Sequence, residues 1–160
     1  MHIPYSDNKN IALFGEQNET VPLVYFNIIN LKKGESYSYQ LPQHETSVVP
    51  ATGLVELTVD GNKLGQIGTR NTDVWDGEPE GSYIPTNSEC TITCLSDSAE
   101  CFIAGGIYEK KLEAFLVPQK EIDMVQYGSD DTKTHRKLKH ILGAKQHVYV
   151  NDSLATEIYT

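Results

Sequence analysis

The chain has 160 residues and a mass of 17.8 kDa, enough for one domain that buries a core without disulfide staples. Thirteen Lys and Arg against 22 Asp and Glu give a net charge of −9 and a pI near 4.9, which excludes general binding to phosphate backbones or anionic membranes. Only two of the cations, Arg70 and Arg136, are arginines, no apolar run approaches the roughly 18–20 residues of a membrane span, and Met1 to Asp7 lacks the basic and apolar regions of a secretory signal.

Cys90, Cys94 and Cys101 are an odd set of thiols in a chain without an export signal, so they read as reduced and the protein as cytoplasmic. Val, Ile and Thr each outnumber Ala, a composition suited to pleated, half-buried strands rather than a helical bundle.

In chain order, Val21 to Ile29 reads as a strand broken by Leu31-Lys32-Lys33-Gly34. Glu35 to Gln40 alternates and places Tyr37 and Tyr39 on one face. Leu54 to Val59 points Val55, Leu57 and Val59 inward. Asp60-Gly61 follows, a tight-turn pair, and Lys63 to Ile67 is the return strand. Gly77 to Gly81 is a turn cluster, and Ser82-Tyr83-Ile84-Pro85 leads into the next strand. Glu89 to Leu95 alternates Cys90, Ile92 and Cys94 against Thr91 and Thr93. Glu100 to Tyr108 is a strand interrupted at Gly105-Gly106. Leu112 to Val117 and Arg136 to Leu142 are strands, and Pro118 to Asp123 carries one helical turn with Pro at its start. Many strands at about 8–12-residue spacing predict an all-β sandwich or barrel, and here a jelly roll.

Chemical motifs are sparse. His44 with Glu45 does not make a mononuclear metal site, because neighbouring strand residues face opposite ways; His44 reads as a loop residue at the barrel mouth. Cys90 and Cys94 are two pleats apart and read as buried, inert thiols rather than ligands. His135, His140 and His147 have no metal-ligand spacing. The basic run His135 to His140 is either a solvated face or an anion site or subunit interface. Gly61 to Gly65 precedes no helix, so no phosphate loop is indicated, and no Gly-x-Ser-x-Gly elbow occurs. Most carboxylates sit in turns and read as solvated surface. Trp75 reads as a packed lid over the barrel.

One stretch is more specific. Gly68-Thr69-Arg70, then Trp75, Gly77-Glu78-Pro79 and Tyr83-Ile84-Pro85, resembles in order the pattern of the 5-deoxyglucuronate isomerase and 5-keto-4-deoxyuronate isomerase family. Downstream, Tyr127-Gly128-Ser129 and Arg136 to Leu142 resemble that family's linker, with Tyr127 and His135 standing where Arg and Thr are usual. Leu154 to Thr160 resembles the first strand of a second barrel. The resemblance implies an all-β, cupin-like jelly-roll barrel (RmlC-like) over residues 1–127, with 128–160 as the linker and first strand of a second barrel that this sequence does not contain. It implies deoxyuronate aldose–ketose isomerisation in inositol or uronate breakdown. It also implies a divalent metal, zinc being the expected ion, held by imidazoles of that second barrel. Within the 160 residues no metal ligands, catalytic residues or cofactor are expected, and the chain is expected to be inactive alone. His44, Arg70, Tyr83 and Arg136 are the candidates for a sugar-acid pocket or for contact with another barrel. A homo-oligomer formed through an apolar face is expected, without nucleic acid or membrane partners. The alternative reading is a stand-alone sugar-acid binding or regulatory module.

Overall fold

The computed structural model describes residues 10–15 and 24–143. Among them there are eleven strands and no α-helix. Two antiparallel sheets face each other. One has the order β1 (Val24–Lys32), β8 (Ser98–Ile107), β3 (His44–Thr52). The other runs β2 (Ser36–Gln40), β7 (Glu89–Cys94), β4 (Val55–Val59), β5 (Asn62–Ile67). Two ribbons complete the body, β6 (Gly81–Tyr83) with β9 (Phe115–Val117), and β10 (Asp123–Tyr127) with β11 (Arg136–His140). A bridge between Thr46 and Ile84 ties the first ribbon to β3. Apart from the β4–β5 hairpin, neighbours in the two sheets are distant in sequence, as in a jelly roll. The fold is all-β and cupin-like.

Side-chain alternation sets which residues enter the core. Tyr25, Asn27, Ile29 and Leu31 of β1 point inward, as do Val55, Leu57 and Val59 of β4 and Cys90, Ile92 and Cys94 of β7. These residues fill the space between the sheets together with Val48, Ile84, Cys101 and Ile103. The Asp60-Gly61 turn forms as expected: both residues have positive φ, 49° and 76°, the geometry that matches the twist of the flanking strands. Asp60 then anchors the start of β7, accepting from the Glu89 amide at 2.9 Å and the Ser88 hydroxyl at 3.0 Å.

Three sequence expectations are corrected here. β8 runs unbroken through Gly105 and Gly106, because Gly105 lies opposite Thr46 where a Cβ would stand 2.5 Å from the Glu45 carbonyl oxygen. Glycine is thus what lets β3 and β8 approach closely, and it does not end the strand. His44 to Thr52 forms a nine-residue strand that alternation does not announce, since it is buried on both faces. Trp75 is 81 % exposed and covers nothing. The helical turn after Pro118 is present as a short 3-10 turn at Gln119–Glu121.

A second, smaller core lies on the outer face of β3. It joins Val49, Tyr83 and Val117 to Ile141 and Leu142. The stretch after residue 127 therefore contributes to the packed body: β11 pairs with β10 across the Gly128 turn, and Ile141 follows it into this core. Met124, Val125 and Tyr127 of β10 remain exposed. The strand expected over Leu154 to Thr160, and His147, lie outside the described residues.

Candidate functional site

The interior of the jelly roll is where a cupin-type site would form, and side chains occupy it. Tyr25 and Tyr39 stack with ring centroids 6.4 Å apart, and Tyr37 lies 6.2 Å from Tyr39. His44 meets Tyr25 edge-on at 6.4 Å. The Asn27 amide donates to the Tyr37 hydroxyl at 3.0 Å, and the hydroxyls of Tyr39 and Thr46 share a 2.7 Å hydrogen bond. Such buried hydroxyl and amide groups are tolerated because they satisfy one another. Burial, reinforced by the neighbouring Cys90, holds the Tyr39 phenol well above its ordinary pKa. The Cys90 thiol is itself pushed up to about 12 by burial, and burial raises Cys101 further. These groups stay neutral at physiological pH. They can hold one another in place, but they supply no thiolate or phenolate.

His44 is the first residue of β3 and is 2 % exposed, facing into the barrel. This corrects its reading as a loop residue: the chain re-enters a strand directly after the Pro42-Gln43 turn. Glu45, next along β3, faces the other way, where the Tyr83 hydroxyl donates to its Oε2 at 2.7 Å. Tyr83 stacks on Phe115 with centroids 5.2 Å apart. His44 and Tyr83 therefore serve opposite faces of β3. Arg70 is buried in the 68–80 loop, its Nε donating to the Gly77 carbonyl at 3.0 Å. Arg136 opens β11 opposite Tyr127 and is exposed. The four candidates do not share one pocket.

A divalent metal does not fit this interior. The groups converging there are phenols, hydroxyls, buried thiols of which Cys90 and Cys101 are held neutral, one amide and one imidazole, whereas such an ion takes several imidazoles, thiolates or carboxylates. Among the described residues no group of three His, Cys, Asp or Glu could hold a metal ion. No reaction step is therefore derived through a metal here.

A feature that sequence reasoning did not assemble lies outside the barrel. A groove of about 450 Å³ runs between Glu78, Lys120, Lys137 and Lys139. Lys139 pairs with Glu78. The signal for it in the sequence is the basic run His135 to His140, read as a solvated face, an anion site or a subunit interface, in which Lys137 and Lys139 stand two apart on a strand and so on one face.

The two facing sheets and their filled interior define a cupin-like β jelly roll. Comparison with known proteins narrows the class: the model of the KduI/IolB family matches residues 3–160, and the chain belongs to that family. It is 29 % identical over 146 residues to the 5-deoxy-glucuronate isomerase of Bacillus subtilis strain 168, a match spanning 89 % of this chain and 51 % of the relative. The protein of the same name from Bacillus subtilis subsp. natto matches equally. The chain thus spans about half the length of these curated relatives. Among solved structures, an IolB-like protein from Salmonella typhimurium LT2 superposes with a TM-score of 0.71 at 22 % identity, over 83 % of this chain and 49 % of that one. A putative glyoxylate-induced protein from Pseudomonas aeruginosa gives 0.53 at 15 % identity, over 86 % and 51 %. At these identities the structural matches show the fold. Among the described residues no helix is long and apolar enough to cross a membrane.

Proposed function

We propose that this chain supplies the non-catalytic, N-terminal-type barrel of a deoxyuronate aldose–ketose isomerase of the 5-deoxyglucuronate isomerase kind, acting in inositol or uronate breakdown in the cytoplasm. The observation that carries this reading is the barrel interior, filled by Tyr25, Tyr39, Asn27, Thr46 and His44 where a catalytic barrel would keep open space and ligands. The names of the 29 %-identical relatives support the reaction class, and the half-length match supports the role of one barrel of two.

Moving a carbonyl between adjacent carbons shifts a proton through an enediol, or shifts a hydride. Either course needs a polarised carbonyl and an acid/base group in reach of the carbon. The described interior offers neither an ionised carboxylate nor a basic imidazole pair. The role left to this barrel is to pack against a metal-bearing barrel and to build subunit contacts. The exposed Val125 and Tyr127, on one face of β10, supply an apolar surface for a homo-oligomer.

The test is isomerisation of 5-deoxyglucuronate by the purified chain with zinc or manganese supplied. No turnover above the protein-free control is expected. Turnover that a chelator abolishes and zinc restores would overturn the proposal. Light scattering is expected to show an oligomer; a monomer at high concentration would remove the contact role.

A further inference from the structure

The groove beside β11 is unused by the isomerase reading, and its chemistry is distinct. Three ammonium groups line it: Lys120 from the 3-10 turn, and Lys137 and Lys139 from one face of β11. One carboxylate, Glu78, shares it and pairs with Lys139. Next to Glu78 in sequence is Gly77, whose carbonyl holds the Nε of Arg70 at 3.0 Å. Arg70 is 4 % exposed, and no carboxylate among the described residues pairs with it. Arg70 and Lys139 are near enough to act on each other: burial first, and then the Arg70 charge, hold the Lys139 ammonium below its usual range.

This arrangement is costly without a ligand. A buried guanidinium with no counter-ion among the described residues is unfavourable, and further cations beside it add repulsion. It is also out of character for a chain with 22 acidic residues and a net charge of −9. Three lysines line the groove beside one carboxylate, and with the buried Arg70 behind Lys139 the surplus is three positive charges. A singly charged ligand removes little of that surplus; a dianion removes most of it. Lysines act as compact, mobile point charges, well suited to oxygens on a tetrahedral or branched anion. A volume of about 450 Å³ lies within the range of small-molecule sites.

We infer that the groove lined by Lys120, Lys137 and Lys139, with the buried Arg70 behind Lys139, binds a small oxyanion carrying two or more negative charges, the chemistry shared by phosphate monoesters and dicarboxylates. Lys137 and Lys139 contact the anion. Arg70 is a positioning charge, fixed by the Gly77 carbonyl. Glu78 holds Lys139 while the site is empty. The site does not depend on the isomerase reading and stands if that reading fails.

The experiment is titration calorimetry on the whole chain with inorganic phosphate, malonate and acetate, at low ionic strength held constant with sodium chloride. Phosphate or malonate is expected to bind at one site per chain, and acetate at the same concentrations is not. Binding of phosphate alone assigns phosphate esters; binding of malonate alone assigns dicarboxylates. Lys137→Gln, at an exposed position, is expected to weaken binding by roughly tenfold. Lys33→Gln, at an exposed lysine outside the groove, is expected to leave it unchanged. The inference is overturned if neither dianion binds beyond the chloride background, or if the two lysine variants weaken binding equally.

Discussion

The Tyr83 hydroxyl donates to Glu45 Oε2 at 2.7 Å from a ring that is 1 % exposed and stacked on Phe115. The bond links β6 to the outer face of β3. Burial raises the Glu45 pKa, and the Tyr83 hydrogen bond works against that rise.

The Tyr83→Phe variant follows from this balance. With its pKa raised in the folded state, Glu45 contributes a stability that is full below its unfolded value and is lost as pH rises through the folded value. Removing the hydroxyl removes the one lowering influence, so the loss deepens and extends to higher pH. Thermal unfolding at pH 4 and pH 7.5 is expected to show a larger penalty at pH 7.5, about 1–2 kcal/mol. Equal penalties at both pH values would contradict the assignment.

Asp60 carries the opposite sign. Its hydrogen bond from Lys111 at 2.9 Å, then those from the Glu89 amide and Ser88, hold its pKa below the ordinary carboxylate value. That contribution is present above the unfolded pKa and is lost as pH falls through the folded one. Asp60→Asn, which keeps a residue tolerant of the positive φ, is expected to cost about 1 kcal/mol at pH 7, a figure reduced by the solvent screening of an exposed Lys111. The cost is expected to fade in a chemical denaturation series taken below pH 4.

Gly105→Ala puts a methyl group 2.5 Å from the Glu45 carbonyl oxygen, between β8, central in its sheet, and β3, which the Thr46–Ile84 bridge also ties down. A loss of about 1–3 kcal/mol is expected in the denaturation midpoint. Gly61→Asn, in the exposed Asp60-Gly61 turn, serves as the comparison, since Asn tolerates positive φ there. An unchanged midpoint in Gly105→Ala would mean that β3 and β8 are not so closely apposed.

Cys90, Cys94 and Cys101 are all buried, and burial holds the Cys90 and Cys101 thiols above the range where thiolate forms at neutral pH. A thiol reagent at pH 8 is expected to modify none of the three rapidly in the native protein and all three after denaturation. Rapid native labelling of Cys90 or Cys101 would contradict the packing.

Regular alternation made much of this barrel legible. Val55, Leu57 and Val59, then Asp60-Gly61, then Cys90, Ile92 and Cys94 each take the place that their spacing dictates. β3 escaped because it is buried on both faces, so Ser47-Val48-Val49 shows no alternation, and because Pro50 stands beside an irregularity in its pairing with β8. His44 was misplaced for the same reason. Trp75 was misjudged because large apolar side chains usually seek cover, and here the loop turns the ring outward. The basic run His135 to His140 is legible as an anion site or interface, but its partners are not, because Glu78, Lys120 and the Lys137/Lys139 pair come from three separate segments that only the fold brings together.

The central claim is that the interior of this barrel holds side chains in place of a catalytic cation. Metal analysis of the purified chain after equilibration with zinc, followed by dialysis, tests it most directly. The account predicts no bound transition metal in stoichiometric amount. One tightly held ion per chain, lost together with deoxyuronate turnover on chelation, would contradict it.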